Sequence, residues 1–252
     1  MSESNLTSSS AGAGGAGFVA GGRTVDAGRG WSWIASGFSL FMKQPGIWIL
    51  LLIVLIVCWA LIGIVPVVGS IAIMLLYPVF TAGVMLGCRA LDEGGELEVA
   101  HAFAGFKRNT SDLVVLGALS LVMLVIVLVP TVLIMGIGSF LAMMHGDVAK
   151  VAALGLTFLL AMLVMLALSI PAYMAIWFAP ALVALNQMKP GAALQASFMA
   201  CLKNFIPFLV YGVILFVFCI VAAIPLMLGY LVMGPVLLAS VYTAYRDIFY
   251  SA

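Results

Sequence analysis

The sequence predicts an all-α, polytopic helical membrane protein with six transmembrane helices and three interfacial amphipathic helices in a threefold internal repeat. Three observations predict it. Of 252 residues, 65% are hydrophobic and 8% charged, where soluble domains average roughly 45–50% and 25%, so too few polar side chains exist to cover a surface in water. Mean hydropathy is +1.30. Four stretches carry no charged residue, 44–88, 113–146, 151–188 and 204–245, and one pattern of apolar, basic and proline residues occurs three times. The formal net charge of +1 supplies no field to attract nucleic acid.

The chain opens on a Ser/Gly/Ala tract, residues 1–22, whose only charged side chain is Glu3. It lacks the basic region and apolar core of a signal peptide, and residues 1–29 read as a disordered cytoplasmic tail ahead of a membrane domain over 30–252. A crossing helix needs about 20 apolar residues, so the stretches of 45 and 42 residues hold two spans each. They break at Val65-Pro66-Val67-Val68-Gly69 and between Ile224-Pro225 and Gly229, where proline removes a donor and glycine permits a turn. The 34-residue stretch is too long for one crossing, and its span is expected to end near Pro130 to Met135. Gly136 to Met144 then form an external, interface-hugging connection to His145 and Asp147. Residues 151–188 carry Pro171 and Pro180 and form either one kinked helix or a helix plus a shorter segment.

Charge selects among these arrangements. With six spans, Arg23, Arg29, Lys43, Arg89, Lys107, Arg108, Lys189, Lys203 and Arg246 fall on one side and Lys150 alone on the other. Splitting 151–188 into two spans reduces nine against one to six against four. Because Lys and Arg are retained in short cytoplasmic loops, the expected spans are 46–65, 69–88, 113–134, 151–185, 205–224 and 229–245. Both termini are then cytoplasmic.

Ahead of the first, third and fifth spans, apolar residues recur at i, i+4 and i+7: Ile34, Phe38, Phe41; Val99, Phe103, Phe106; Leu194, Phe198, Cys201. A basic residue follows each triplet two positions later, Lys43, Arg108 and Lys203. Pro66, Pro130 and Pro225 lie 25, 24 and 24 residues beyond the triplets, and Pro78, Pro180 and Pro235 sit in the second halves. These marks define repeat units of about 31–89, 97–187 and 190–246. Each unit is an amphipathic helix lying in the cytoplasmic interface, a basic residue at lipid-headgroup level, and a membrane hairpin. Lys43, Arg108 and Lys203 are therefore the expected headgroup contacts.

The entry Gly30-Trp31-Ser32-Trp33-Ile34 through Gly37-Phe38-Ser39-Leu40-Phe41, followed by Gln44-Pro45-Gly46-Ile47-Trp48, resembles an uncharacterised family of bacterial six-span inner-membrane proteins. It is more distantly similar to the membrane domain fused to some glycerophosphodiester phosphodiesterases. The similarity covers about residues 30–246. It implies an architecture, and it carries over no catalytic residue.

The expected spans contain no Asp, Glu, Lys, Arg or His, which argues against a proton relay or ion path. Asp92, Glu93, Glu96 and Glu98 cluster with His101 but match no cation-loop spacing, and read as a solvated connector turning at Asp92-Glu93-Gly94-Gly95. His145 reads as a loop residue. Cys58, Cys88, Cys201 and Cys219 form no CxxC pair and read as small hydrophobes. Gly83 and Gly87 make a GxxxG whose expected use is packing within the bundle. Trp31, Trp33, Trp48, Tyr173, Trp177, Tyr242, Tyr245 and Tyr250 read as interfacial anchors. No enzyme, metal or cofactor signature appears. The expected role is a non-catalytic protein organising membrane lipids or a membrane-protein partner, and its rival is a passive transporter or pore for a small neutral solute.

Overall fold

The computed structural model describes residues 17–143 and 147–251. Its elements run α1 (Arg29–Lys43), α2 (Pro45–Gly63), α3 (Val68–Asp92), a 3-10 helix (Val99–Phe106), α4 (Thr110–Met143), α5 (Asp147–Trp177), α6 (Ala179–Asn186), α7 (Pro190–Lys203), α8 (Phe205–Ala223) and α9 (Tyr230–Phe249). The described chain is helical apart from one isolated bridge between Phe18 and Tyr250.

Among the described residues, five segments are long and apolar enough to cross a membrane: Pro45–Gly63, Val68–Asp92, Thr110–Leu141, Ala152–Asn186 and Phe205–Ala223. The sixth expected span differs. α9 is long enough at 20 residues, but its second half carries Thr243, Arg246 and Asp247 and is packed into the core.

The third expected span also needs correction. α4 does not stop near Pro130 but continues to Met143, so residues 136–143 are helix and not an interface-hugging connection; His145 lies outside the described residues. The physical reason is pairing: α4 lies along α5, Gly138 admits the side chain of Thr157, and Thr131 Oγ1 donates 2.8 Å to Val127 O beside the proline. Residues 151–188 form one kinked segment. It breaks at Phe178, before Pro180, where Ser197 Oγ accepts from Phe178 N (3.0 Å) and donates to Met174 O (2.7 Å). The hydroxyl thus bridges a donor and an acceptor that a straight helix would join directly.

Short helices occupy all three expected places, the second tightened to 3-10 geometry. α1 packs on α9, the 3-10 helix on α3, and α7 on α5 and α6. Each therefore rests on the closing helices of another hairpin. Small residues make the seams close: a Cβ on Gly37 would lie 2.7 Å from Ser240 N, and one on Gly83 would strike the carbonyl of His101. The GxxxG is thus used inside the fold, against the 3-10 helix.

The core gathers at the end of the molecule that carries these short helices. Trp33, Trp48, Phe178, Tyr242, Tyr245 and Phe249 are fully buried there with Met85, Leu113, Leu116 and Leu182. Four aromatic residues expected as anchors, Trp33, Trp48, Tyr242 and Tyr245, are therefore core, while Trp31 and Tyr173 remain exposed. Toward the hairpin turns the helices present Ile56, Val125, Leu163, Phe216 and their neighbours outward, as expected where lipid and not water is the solvent.

Residues 17–29 depart from the expected disordered tail; the rest of that tail lies outside the described residues. Val19 N donates 2.8 Å to Phe249 O, and Arg23 N donates 2.8 Å to Ile248 O. This segment is held at the carboxyl end of α9 by charge.

Candidate functional site

Polar chemistry collects at the short-helix end. Its hub is Asp247, a buried carboxylate in the last turn of α9. Arg29 grips it with two bonds of 2.7 Å, Arg23 Nη2 donates 2.8 Å to Oδ1, and Trp33 Nε1 donates 2.8 Å to Oδ2. Burial pushes this carboxyl up, but hydrogen bonds from Arg29 and Trp33, with the Arg29 charge, outweigh it and hold it below the ordinary carboxylate value. The same bond raises the Arg29 guanidinium. Beside the hub, Arg246 pairs with Asp92, and Tyr242 donates 3.1 Å to Asp92. A cleft of about 330 Å³ opens here, in whose wall Arg23 and Arg29 share Asp247 and Arg246 meets Asp92, three arginines against two carboxylates.

A second set of polar contacts was not anticipated from the sequence. Immediately after each trailing basic residue stands a carboxamide: Gln44, Asn109 and Asn204. Gln44 Oε1 accepts 2.8 Å from Leu97 N, just ahead of the 3-10 helix. Asn109 Nδ2 donates 3.0 Å to Val183 O in α6, ahead of α7. Asn204, fully buried, accepts 2.8 Å from Val25 N and donates 2.8 Å to Arg23 O, ahead of α1. Each amide thus clasps a segment that precedes a different short helix. The signal was legible: Lys-Gln, Arg-Asn and Lys-Asn stand at equivalent points of the three triplets.

Of the three expected headgroup residues, Lys43 and Lys203 end α1 and α7 while Arg108 lies two residues beyond the 3-10 helix, and their surroundings differ. Lys43 Nζ donates 2.9 Å to Leu91 O near the end of α3, and Lys203 Nζ donates to Gly21 O (3.0 Å) and Gly22 O (3.3 Å). Arg108 instead sits with Arg89 and Lys107 on a separate pocket. The carboxylates of the connector are dispersed: Asp92 pairs with Arg246, Glu93 with Arg89 at 3.5 Å, and Glu98 forms a capping box with His101.

Membrane-length apolar helices converging on a buried, charge-paired end define an integral helical membrane protein. The chain is 31% identical, over 200 residues, to a probable inner membrane protein of Burkholderia thailandensis, covering 76% of this chain and 74% of that protein. It belongs to that protein's family. No family model matches the chain, and no solved structure matches it. The distant likeness to glycerophosphodiester phosphodiesterases finds no support in these comparisons.

Proposed function

We propose that this protein is a non-catalytic organiser of inner-membrane lipids, built as a closed ring of three repeated units that contribute six spans, with both termini in the cytoplasm. The packed centre carries this reading. α3 contacts α6 and α9, and the interior these helices share is filled by Met85, Leu182, Tyr242, Tyr245 and Ile248, leaving side chains where a permeation path would need space. The seams support the ring, since short helices link unit one to two, two to three, and three back to one, and the amides of Gln44 and Asn204 clasp Leu97 and Val25 at two of those seams.

The lipid face supports the activity. Apolar grooves of about 590 Å³ between α5 and α8 and about 680 Å³ among α1, α8 and α9 open sideways, at the level of the apolar helices. The test is purification in native lipid with mass spectrometry of what stays bound, beside solute-flux assays in liposomes. Retained phospholipid without flux is the expected result; neutral-solute flux without retained lipid would replace this reading with a passive transporter.

A further inference from the structure

Cations at the short-helix end are almost all spoken for. Arg23 and Arg29 hold Asp247, Arg246 holds Asp92, Lys189 lies 3.5 Å from Asp112, and Lys43 and Lys203 bind carbonyls. Among the described side chains, Lys107 and Arg108 are the two cations with neither an acid nor a carbonyl partner, and both are exposed. They are adjacent and line one pocket of about 440 Å³ with Arg89, His101, Glu93 and Leu86. Glu93 is the single carboxylate in that wall. It is exposed and meets Arg89 at 3.5 Å, a weak pair, so the pocket keeps an excess of two positive charges.

The histidine adds a donor. His101 Nδ1 lies 2.9 Å from Glu98 N and 3.2 Å from Glu98 O, and in the tautomer that accepts from Glu98 N the ring proton stands on Nε2. The pocket lies where α3 ends and α4 begins, at the boundary of two membrane-length helices. Phe103 and Phe106, 39% and 40% exposed, stand on another face of the 3-10 helix, packed on Phe80. An unneutralised basic pocket at the ends of two membrane-length helices matches the chemistry of a membrane interface.

We propose that Arg89, Lys107, Arg108 and His101 form a phosphate-binding site for the headgroup of an anionic phospholipid. The inference rests on the lipid-organising reading and localises it to the seam between the first two units. A phosphate oxygen accepts from the guanidinium forks and from His101 Nε2, Lys107 adds a point charge, and the acyl chains extend along the apolar helices α3 and α4.

The test titrates the detergent-solubilised full chain with phosphatidylglycerol, and separately with inorganic phosphate, by native mass spectrometry. K107Q/R108Q should bind phosphatidylglycerol roughly thirtyfold more weakly, at about 1 kcal/mol per cation, while K43Q/K203Q stays near wild type. Loss of inorganic phosphate binding alone supports the same anion site with a soluble ligand. Unchanged binding of both ligands in K107Q/R108Q, or an equal loss in K43Q/K203Q, overturns the site. A measurement without variants guards against misfolding: phosphatidylglycerol should shield Lys107 from an amine-reactive reagent, and equal labelling with and without lipid overturns the site as well. If the wild-type chain retains no lipid, the lipid-organising reading itself fails; if it retains lipid that K107Q/R108Q keeps, only this site fails.

Discussion

Asp247 is the residue on which the carboxyl terminus and the segment ahead of α1 depend. Replacing it with Asn removes the charge that holds Arg23 and Arg29 while leaving a similar shape. Because those arginines are 37% and 47% exposed, they regain water, and the expected cost is about 2 kcal/mol, below that of breaking a fully buried pair. A lowered thermal midpoint in D247N, with faster proteolysis ahead of α1, would show this. The sign of the pH dependence follows from the depressed carboxyl. Its folded value lies below the ordinary 3.8, so its stabilisation is complete above about pH 5 and is lost as pH falls through the unfolded value toward the lower folded one. Acid melting curves should therefore fall more steeply for wild type than for D247N. Asn204 offers a second test. N204A leaves Val25 N and Arg23 O without their partner, and a loss of about 1–3 kcal/mol is expected, against less for Q44A, whose side chain is only partly buried and makes one bond.

Element by element, contact and not propensity sets the boundaries. α1 can lie on α9 because Gly37 brings its backbone against Ser240; Gly37→Val forces the seam apart, with an expected cost of about 1–3 kcal/mol. Melting of the purified variant checks this, and an unchanged midpoint would show that the seam yields freely. α4 makes a different demand. Its 34 residues extend about 51 Å at roughly 1.5 Å per residue, and even a tilt of about 40° leaves about 39 Å, more than a hydrocarbon core of about 30 Å. One tip of the α4–α5 hairpin therefore stands clear of the core. Phe140→Cys, in a background without the four native cysteines, is expected to react with a membrane-impermeant maleimide added from the side opposite the termini. Protection from both sides would mean that the tip stays within the bilayer.

For the molecule as a whole, the ring reading places the short-helix end in the cytoplasm. Reporter fusions after Arg89 and Lys189 are expected to give cytoplasmic signals, and a fusion after Asp147 the opposite, by the nine-to-one distribution of basic residues. An external signal after Lys189 would mean that 151–188 crosses twice. The kinked but single course of α5 and α6 argues for one crossing.

Length of apolar run, the spacing of Ile34, Phe38 and Phe41 and its two echoes, and the break at Pro66 were readable because they act within one or two turns of a helix. They determined an all-helical membrane protein with short helices at three places. Pro130 misled, since a proline ends a helix in water but is tolerated where a neighbouring helix supports the freed backbone. Trp33 and Tyr245 misled in another way, since a boundary position cannot tell a lipid-facing ring from one turned inward. The pairing of Asp247 with Arg23 and Arg29 joins residues more than 200 positions apart, and the fold gives the arginines of one cleft carboxylate partners while Lys107 and Arg108 on another pocket have none. Charge composition counts such groups but does not match them; only tertiary structure decides which cations are left for a ligand.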